Sequence, residues 1–239
     1  MAADPTPHLL RPLDTAVDAV IFDYDGTLVA TRFADEAAVT ELIAADPSAA
    51  ASAPVFWDHD GEPLLVRIER AWPGRAAEVL PLFERQAGPR SCPGVQPMLR
   101  SLHRRGLLMA VVSSRRCAAL DAGLAATGLR HYFQLVVGLE DVTEPKPSPE
   151  GLIQAMEGLK ARPERTIYVG DNLLDIEAGR RAGVTVWRAA WCLPPLSPDG
   201  VVELRTPTEV GRRLDRMRSS RGVRARLRVE RPSPGQATA

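Results

Sequence analysis

The sequence predicts an α/β protein with a doubly wound, parallel, Rossmann-like sheet and a small helical cap inserted after the first strand. Three observations lead to this fold class. Short apolar runs alternate with helix-like segments, several of these runs stop at a polar group, and a helix-rich stretch separates the first run from the second. The 239 residues are enough for one such domain with an insert.

Five buried strands are predicted from short apolar runs bounded by turn residues. The runs are residues 19–22, 107–112, 133–137, 166–169 and 184–187. Helices are expected after the cap and after each of the next three strands, at residues 97–105, 118–127, 152–159 and from 175 to about 183. Strands that alternate with helices in this way are typical of a parallel sheet.

The chain divides into a core and a cap. Residues 1–16 are expected to be a loose N-terminal arm, residues 17–28 and 92–204 the α/β core, and residues 29–91 the helical cap. The remaining residues, 205–239, are expected to be a C-terminal helix and a basic tail.

Three local features refine these boundaries. Residues 46–61 are rich in Ala, Ser and Pro and are expected to form a loop within the cap. Pro81 is expected to interrupt a cap helix. The chain after Ser219 is rich in arginine and is expected to be disordered.

Charge and cysteine content narrow the class of protein. The formal charge is zero, but ten arginines and only three acids follow residue 204, which leaves 20 basic and 27 acidic residues before it. The basic tail lacks interleaved aromatic residues, so nucleic acid is not an expected partner.

No 18-residue apolar run and no signal-peptide core occur, so we expect a cytoplasmic protein with no membrane partner. The three cysteines are far apart, and we expect reduced thiols.

Polar groups follow four of the predicted strands. In chain order they are Asp23 and Asp25, Ser113, Lys146, and Asp171 with Asp175. The carboxyl ends of parallel strands meet at one edge of a sheet, so these side chains are expected to converge. Lys146 is notable because the chain has 28 arginines and only two lysines.

These residues resemble the motifs of the haloacid dehalogenase-like superfamily. Asp23-Tyr24-Asp25-Gly26-Thr27-Leu28 is similar to the family's DxDGTL motif, and Gly170-Asp171 with Asp175 is similar to its GDxxxD motif. Ser113 and Lys146 match its Ser/Thr and Lys positions in the family's order. The insert lies between the first two motifs, as in the phosphoglycolate phosphatase and β-phosphoglucomutase branch. Tyr24 is bulkier and more polar than the apolar residue usual at its position.

The resemblance implies a phosphatase that hydrolyses a small phosphorylated metabolite, a phosphate monoester. Asp23 would attack phosphorus and form an aspartyl-phosphate, and Asp25 would act as the general acid and base. Ser113, Ser114 and Lys146 would bind the phosphoryl oxygens.

The resemblance also implies a magnesium site. Asp23, the backbone carbonyl of Asp25, and Asp171 are oxygen ligands suited to Mg²⁺. Asp175 would orient Lys146 or a metal-bound water without binding the metal itself.

Each residue also has a simpler interpretation. Asp25 could stabilise only its own turn, Ser113 could cap a helix, and Lys146 and Asp175 could be solvated surface charges. In the cap, the cluster at residues 56–60 could be core plus turn, or a specificity loop with Arg67 and Arg70 as anion contacts.

Alternative functions remain at this stage. A sugar phosphomutase of the β-phosphoglucomutase type would use the same motifs. A haloacid dehalogenase is less favoured because its reaction needs no acid at the position of Asp25. A non-catalytic regulatory protein would need a broken motif, and none is found. The sequence leaves open a monomer or a homodimer.

Overall fold

Six parallel strands form the centre of the computed structural model, which describes residues 17–59, 62–85, 88–192 and 200–229. In sheet order they are β3 (Leu135–Val137), β2 (Leu108–Val112), β1 (Ala19–Phe22), β4 (Thr166–Gly170), β5 (Thr185–Ala189) and β6 (Val202–Leu204). β1 pairs in parallel with β2 on one side and with β4 on the other. The chain therefore winds outward from β1 in both directions, which confirms the predicted doubly wound sheet.

The sixth strand was not predicted. β6 has only three residues, Val202 to Leu204, which is too short for an alternating apolar pattern to be recognised in the sequence. It pairs in parallel with β5 and extends the sheet at that edge. The third strand is shorter than predicted, because a 3₁₀ helix at Arg130–Tyr132 precedes it.

The two faces of the sheet are covered by different helices. Alternate strand residues point to opposite faces, so Phe22 and Val169 belong to one buried cluster and Ile21 and Tyr168 to the other. The helices outside the insert are α5 (Val95–Arg104), α6 (Cys117–Ala126), α7 (Glu150–Leu159), α8 (Leu173–Arg181) and α9 (Thr208–Val229). α5, α6 and α9 contribute to the first cluster, and α7 and α8 contribute to the second.

Residues 29–91, here called the helical insert, contain four α-helices within the described residues. They are α1 (Arg32–Ala45), α2 (Ala53–Asp58), α3 (Leu64–Ala71) and α4 (Ala76–Arg85). The insert has its own buried cluster, centred on Phe56, whose ring lies 5.1 Å from that of Phe83 and 5.6 Å from that of Trp72.

The predicted loop at residues 46–61 was wrong over most of its length. Residues Pro47–Ser52 form a 3₁₀ helix, and α2 follows directly. Both prolines in this stretch lie in first turns, where a missing N–H costs nothing. The Asp46 side chain accepts the Ser48 N–H, and Trp72 donates its indole N–H to the Ala49 carbonyl, so tertiary contacts fix the segment. Pro81 lies inside α4 and does not end it, which corrects the second expectation for the insert.

The insert joins the rest of the chain through two adjacent backbone segments. Val29 and Ser91 form an antiparallel bridge, the Ala30 N–H donates to the Arg90 carbonyl, and the Cys92 N–H donates to the Leu28 carbonyl. The entering and leaving segments therefore lie side by side, and the insert is connected at a single place.

Two further expectations are corrected at the ends of the core. α9 continues to Val229, so the chain does not lose helical structure at Ser219. Cys92 and Cys192 form a disulfide with a Cα–Cα distance of 6.4 Å, whereas reduced thiols were expected; their separation of 100 residues gave no cue to the pairing. Residues 1–16 and the tail after residue 229 lie outside the described residues. No helix among the described residues combines the length and apolar character needed to cross a membrane.

The packing of Tyr24 against α6 gives a stability prediction. A methyl group at Gly123 would overlap the hydroxyl of Tyr24, which is fully buried. We expect Gly123→Ala to lower the free energy of unfolding, because overpacking costs about 1–3 kcal/mol and exceeds the roughly 1 kcal/mol that alanine gains over glycine in a helix.

Denaturant unfolding of both single variants and of the double variant measures this coupling. Tyr24→Phe removes the overlapping hydroxyl, so the Gly123→Ala substitution should cost less in that background. Equal costs in both backgrounds would show that the Tyr24 hydroxyl does not limit the space at Gly123.

Candidate active site

The first acidic residue lies directly at the end of β1. Asp23 is almost completely buried, and its N–H donates to the Val169 carbonyl of β4 at 2.8 Å. The chain then turns back, because the N–H groups of Leu28 and Val29 both donate to the Tyr24 carbonyl. Gly26 has φ +71°, a left-handed conformation that favours glycine.

Gly26 also allows the first loop to approach Asp171. A Cβ at this position would overlap the Asp171 carboxylate, so only glycine permits the observed approach. The Thr27 hydroxyl donates to Asp171 Oδ1 at 3.3 Å. The glycine of the DxDGT pattern therefore brings the loop after β1 against the loop after β4.

Lys146 lies between two of the predicted carboxylates. Its Nζ donates to Asp23 Oδ1 at 2.6 Å and to Asp175 Oδ1 at 2.7 Å, and it lies 3.3 Å from the Tyr168 hydroxyl. The side chain is 6% exposed, so this cation is held by acids within the protein and is not a solvated loop lysine.

Asp175 has both carboxylate oxygens engaged by the protein. Oδ1 accepts from Lys146 and from the Tyr168 hydroxyl, the latter at 2.6 Å, and Oδ2 accepts the backbone N–H groups of Asp171 and Asn172. Asp175 is completely buried, so it is not a surface charge. Tyr168 was missed in the sequence, because a tyrosine within a buried strand is indistinguishable there from ordinary core.

Three carboxylates lie close enough to share a cation. Ligand atoms of Asp23, Asp171 and Asp175 lie within 4.8 Å of one another. Because the oxygens of Asp175 are already engaged, Asp23 and Asp171 are the better side-chain ligands. Hard carboxylate oxygens are the donors that Mg²⁺ prefers, so these residues fit the predicted ion.

The electrostatics of the cluster are set by burial. Burial, with Asp175 and Asp25 nearby, raises the pKa of Asp23 to about 7 despite the opposing charge of Lys146. For Lys146, burial alone would lower the pKa, but Asp175 and Asp23 outweigh it and raise the pKa well above its usual range. Lys146 therefore neutralises only part of the negative charge in the buried site, and this favours the binding of an additional cation.

Asp25 is held by an arginine that was not predicted. Arg115 Nη2 donates to Asp25 Oδ1 at 2.6 Å, and Nε donates to Oδ2 at 3.1 Å. Burial would raise the pKa of Asp25, but the Arg115 guanidinium outweighs it and lowers the pKa. The Tyr24 ring lies 5.5 Å from the guanidinium carbon of Arg115. The only sequence signal for a role of Arg115 in the site was its position directly after Ser113-Ser114.

The two serines lie at the end of β2. Ser113 is buried, its N–H donates to the Val137 carbonyl, and its hydroxyl accepts the Arg115 N–H at 3.1 Å. In the part of the chain that the structure describes, the buried hydroxyl of Ser114 has no hydrogen-bond partner. Both serines line the same cavity as Asp23. An unsatisfied buried hydroxyl is costly, and an oxyanion in the cavity would satisfy it.

The cavity lies between the sheet edge and the helical insert and has a volume of about 170 Å³. Of the polar residues predicted to converge, Asp175 does not line the cavity; those that do are Asp23, Asp25, Ser113, Lys146 and Asp171. The insert contributes Trp57, Leu64 and Arg67, among others. Arg67 is buried and contacts Asp35 Oδ2 at 3.2 Å. Arg70, the other candidate anion contact, pairs with Glu62 at 3.2 Å and does not line the cavity.

The cluster at residues 56–60 is divided between two environments. Phe56 is core, whereas Trp57 lines the cavity under Arg32, whose guanidinium carbon lies 5.0 Å from the Trp57 ring. His59 contacts the Val55 carbonyl in the same helical turn, and Asp60 lies outside the described residues.

Comparison with known proteins decides the family. The family sequence model of the haloacid dehalogenase-like hydrolases matches residues 82–189 of this chain. The pyrophosphatase PpaX of Anoxybacillus flavithermus is 30% identical over 184 residues, which cover 74% of this chain and 85% of that protein. The chain belongs to the haloacid dehalogenase-like hydrolase family.

Solved structures show the same fold. A predicted phosphoglycolate phosphatase from Haemophilus somnus 129PT has a TM-score of 0.67 and 22% identity, and the match covers 83% of this chain and 98% of that one. CbbY from Rhodobacter sphaeroides, solved in complex with phosphate, has a TM-score of 0.65 and 21% identity, with 82% and 96% covered. The haloacid dehalogenase-like fold thus extends over the insert as well as the core.

The raised pKa of Asp23 gives a pH prediction for metal-free protein. A folded-state pKa of about 7, above the usual 3.8, means that the folded protein binds more protons than the unfolded chain between these values. The contribution of Asp23 to stability is therefore lost as pH rises through this range. Asp23→Asn removes that loss, so we expect it to raise the free energy of unfolding by about 2–3 kcal/mol more at pH 8 than at pH 5, because each pH unit between pH 5 and the pKa contributes about 1.4 kcal/mol.

Denaturant unfolding in EDTA at both pH values measures the difference. Asp121→Asn, which changes an exposed acid on α6 outside the cavity, is the matched control. The same effect of Asp23→Asn at pH 5 and pH 8 would contradict the raised pKa.

Proposed function

We propose that this hydrolase is a Mg²⁺-dependent phosphatase that acts on a small phosphorylated compound through an aspartyl-phosphate on Asp23. The observation that carries the proposal is the contact of Lys146 with Asp23, beside a second carboxylate from Asp171. Asp23, Lys146 and Asp171 would then act as nucleophile, cation and metal ligand around one point of a buried site. The 30%-identical relative is named a pyrophosphatase, which supports hydrolysis of a bond between phosphorus and oxygen.

Mg²⁺ would be held by Asp23, Asp171 and the backbone carbonyl of Asp25. When bound, it supplies positive charge that reduces the repulsion between a phosphate and the acidic site. Asp175 would serve by fixing Lys146 and the loop that carries Asp171.

The protein groups account for both chemical steps. Lys146 binds Oδ1 of Asp23, so we assign the attack on phosphorus to Oδ2, which forms the new P–O bond as the bond to the leaving oxygen breaks. Asp25 gives a proton to that oxygen and then takes one from the water that attacks phosphorus and releases Asp23. Ser113, Ser114 and Lys146 would hold the phosphoryl oxygens through both steps.

The helical insert would act as the cap. It supplies one wall of the cavity and is attached through adjacent segments at residues 29–30 and 90–92, so it can move with little change in the core. Closure would exclude water during the first step. Trp57, Leu64 and Arg67 are the insert residues we expect to contact the substrate.

A second candidate substrate is inorganic pyrophosphate. The relative is named a pyrophosphatase, and Arg115 lowers the pKa of Asp25, which favours the ionised carboxylate. An ionised Asp25 can accept a proton but has none to donate, and a phosphate leaving group needs an acid less than an alcohol does. The pairing of Asp25 with Arg115 therefore favours a substrate with a good leaving group.

The other expectations about the setting of the protein stay predictions. They are a cytoplasmic location, a monomer or homodimer, and no membrane or nucleic-acid partner.

The central test is phosphate release from p-nitrophenyl phosphate, phosphoglycolate, sugar phosphates and pyrophosphate in the presence of Mg²⁺. We expect EDTA to abolish turnover and Asp23→Asn to lower it by roughly 10⁴-fold or more, because the nucleophile is lost. Asp215→Asn, an exposed acid on α9, is the matched control.

Full activity of Asp23→Asn would overturn the mechanism. Product analysis separates the alternatives: an isomerised sugar phosphate without free phosphate would indicate a phosphomutase, and halide release from a haloacid would indicate a dehalogenase.

Arg115 and Arg130 offer a matched pair of arginines. Arg115 pairs with Asp25 in the cavity, whereas Arg130 pairs with the exposed Asp121 and does not line the cavity. We expect Arg115→Gln to lower kcat about 10- to 100-fold, because Asp25 loses the group that orients it, and Arg130→Gln to change kcat little.

The pH profile gives the sign of the Arg115 effect. Removing Arg115 lets the pKa of Asp25 rise, so the carboxylate needed as base forms only at higher pH. The acidic limb of the kcat profile should therefore move to higher pH in Arg115→Gln. Identical profiles in the two arginine variants would show that Arg115 does not control Asp25.

A further inference from the structure

Arg188, on β5, is the largest fully buried side chain within the described residues. Its Nε donates to the backbone carbonyl of Asp171 at 2.9 Å, and its Nη1 donates to Glu203 Oε2 at 2.8 Å. Arg188 and Glu203 are paired residues in the register of β5 and β6. The strand that the sequence did not reveal thus carries the counterion of this arginine.

The hydrogen bond from Arg188 acts on one particular peptide group. The Asp171 carbonyl accepts from Arg188, and the N–H of the same peptide, that of Asn172, donates to Asp175 Oδ2 at 3.2 Å. The peptide that follows Asp171 is therefore held on both its edges. This fixes the backbone direction at Asp171 and, with it, the direction of the carboxylate.

The side chain of Asp171 is restrained as well. Thr27 donates to its Oδ1, and Gly26 packs directly against the carboxylate. Among these restraints, Arg188 approaches from the side of β5 and β6, whereas the others come from the loop after β1 and from α8. Without Arg188, one edge of the peptide would lose its donor.

Stability alone does not account for a buried arginine at this place. Desolvation of an ion pair largely cancels its attraction, and replacing such pairs with apolar residues is often neutral or stabilising. The fixed fork of a guanidinium presents two separate nitrogen donors, Nε to the carbonyl and Nη1 to the carboxylate, whereas methionine has no donor and lysine has a single nitrogen in place of the fork.

We propose that Arg188, neutralised by Glu203, is a positioning residue that holds Asp171 in the orientation needed to bind Mg²⁺. The inference rests on the metal site of the proposed function. Residues that orient a metal ligand typically change metal affinity 10- to 100-fold when they are replaced. The effect of Arg188 should therefore appear in metal binding itself, before any step of the reaction.

The test is the Mg²⁺ dissociation constant of EDTA-treated full-length protein, measured by titration calorimetry and, with Mn²⁺, by electron paramagnetic resonance. We expect Arg188→Met to weaken binding about 10- to 100-fold, and its turnover to recover largely at saturating Mg²⁺. Arg188→Lys should also bind more weakly than the wild type, because a single ammonium nitrogen does not reproduce the two donor positions of Nε and Nη1.

A control variant separates positioning from loss of stability. Leu99→Ala creates a cavity in the buried cluster at α5 and should lower the melting temperature while leaving Mg²⁺ affinity unchanged. Wild-type affinity in Arg188→Met would overturn the inference, whatever its melting temperature. Should that variant fail to fold, wild-type affinity in Arg188→Lys would overturn it equally.

The outcomes distinguish this inference from the proposed function. Binding of Mg²⁺ by the wild type and its loss in Asp171→Asn would support the metal site, and the Arg188 variants would then decide the positioning role alone. Absence of Mg²⁺ binding by the wild type would overturn both.

Discussion

The site depends on one buried cation among several buried acids. Lys146 binds Asp23 and Asp175 at once, and all three side chains are almost completely removed from solvent. Buried carboxylates without a partner are strongly unfavourable, so this contact is what allows strands β1 and β4 to end in acids at neighbouring positions. The lysine only partly offsets the negative charge, and the raised pKa of Asp23 reflects the remainder. A site that is electrostatically incomplete by itself is suited to bind a cation and an anion together.

The sheet order explains how four distant segments meet. β1 lies at the centre, and the chain adds strands first on one side and then on the other, so the loops after β1, β2 and β4 leave the sheet side by side. The chain leaves the core and returns to it at adjacent backbone segments, so the insert can cover this edge of the sheet without disturbing the strand register. The sheet therefore supplies the strand-end residues on one side of the cavity, and the insert supplies the opposite wall.

The sequence predicted the features that depend on local pattern. Apolar runs located five of the strands, and the acids, the serine and the lysine at their ends converge as expected. Residues whose role depends on distant contacts were missed: Tyr168 and Arg188 resemble ordinary strand residues, and Arg115 is one of 28 arginines. α2 was mistaken for a loop because its stability comes from packing around Phe56, and the Cys92–Cys192 pairing depends on a tertiary approach that no spacing encodes.

The wide separation of the site residues has a consequence for synthesis on the ribosome. Asp23 is made 123 residues before Lys146, and the strand that receives its backbone N–H comes later still. The Asp23 carboxylate of a nascent chain therefore stays without its neutralising lysine until most of the protein has emerged. A nascent chain that ends before β4 lacks Asp171 and Asp175, so the acidic cluster around Lys146 assembles only when the second half of the sheet folds against the first.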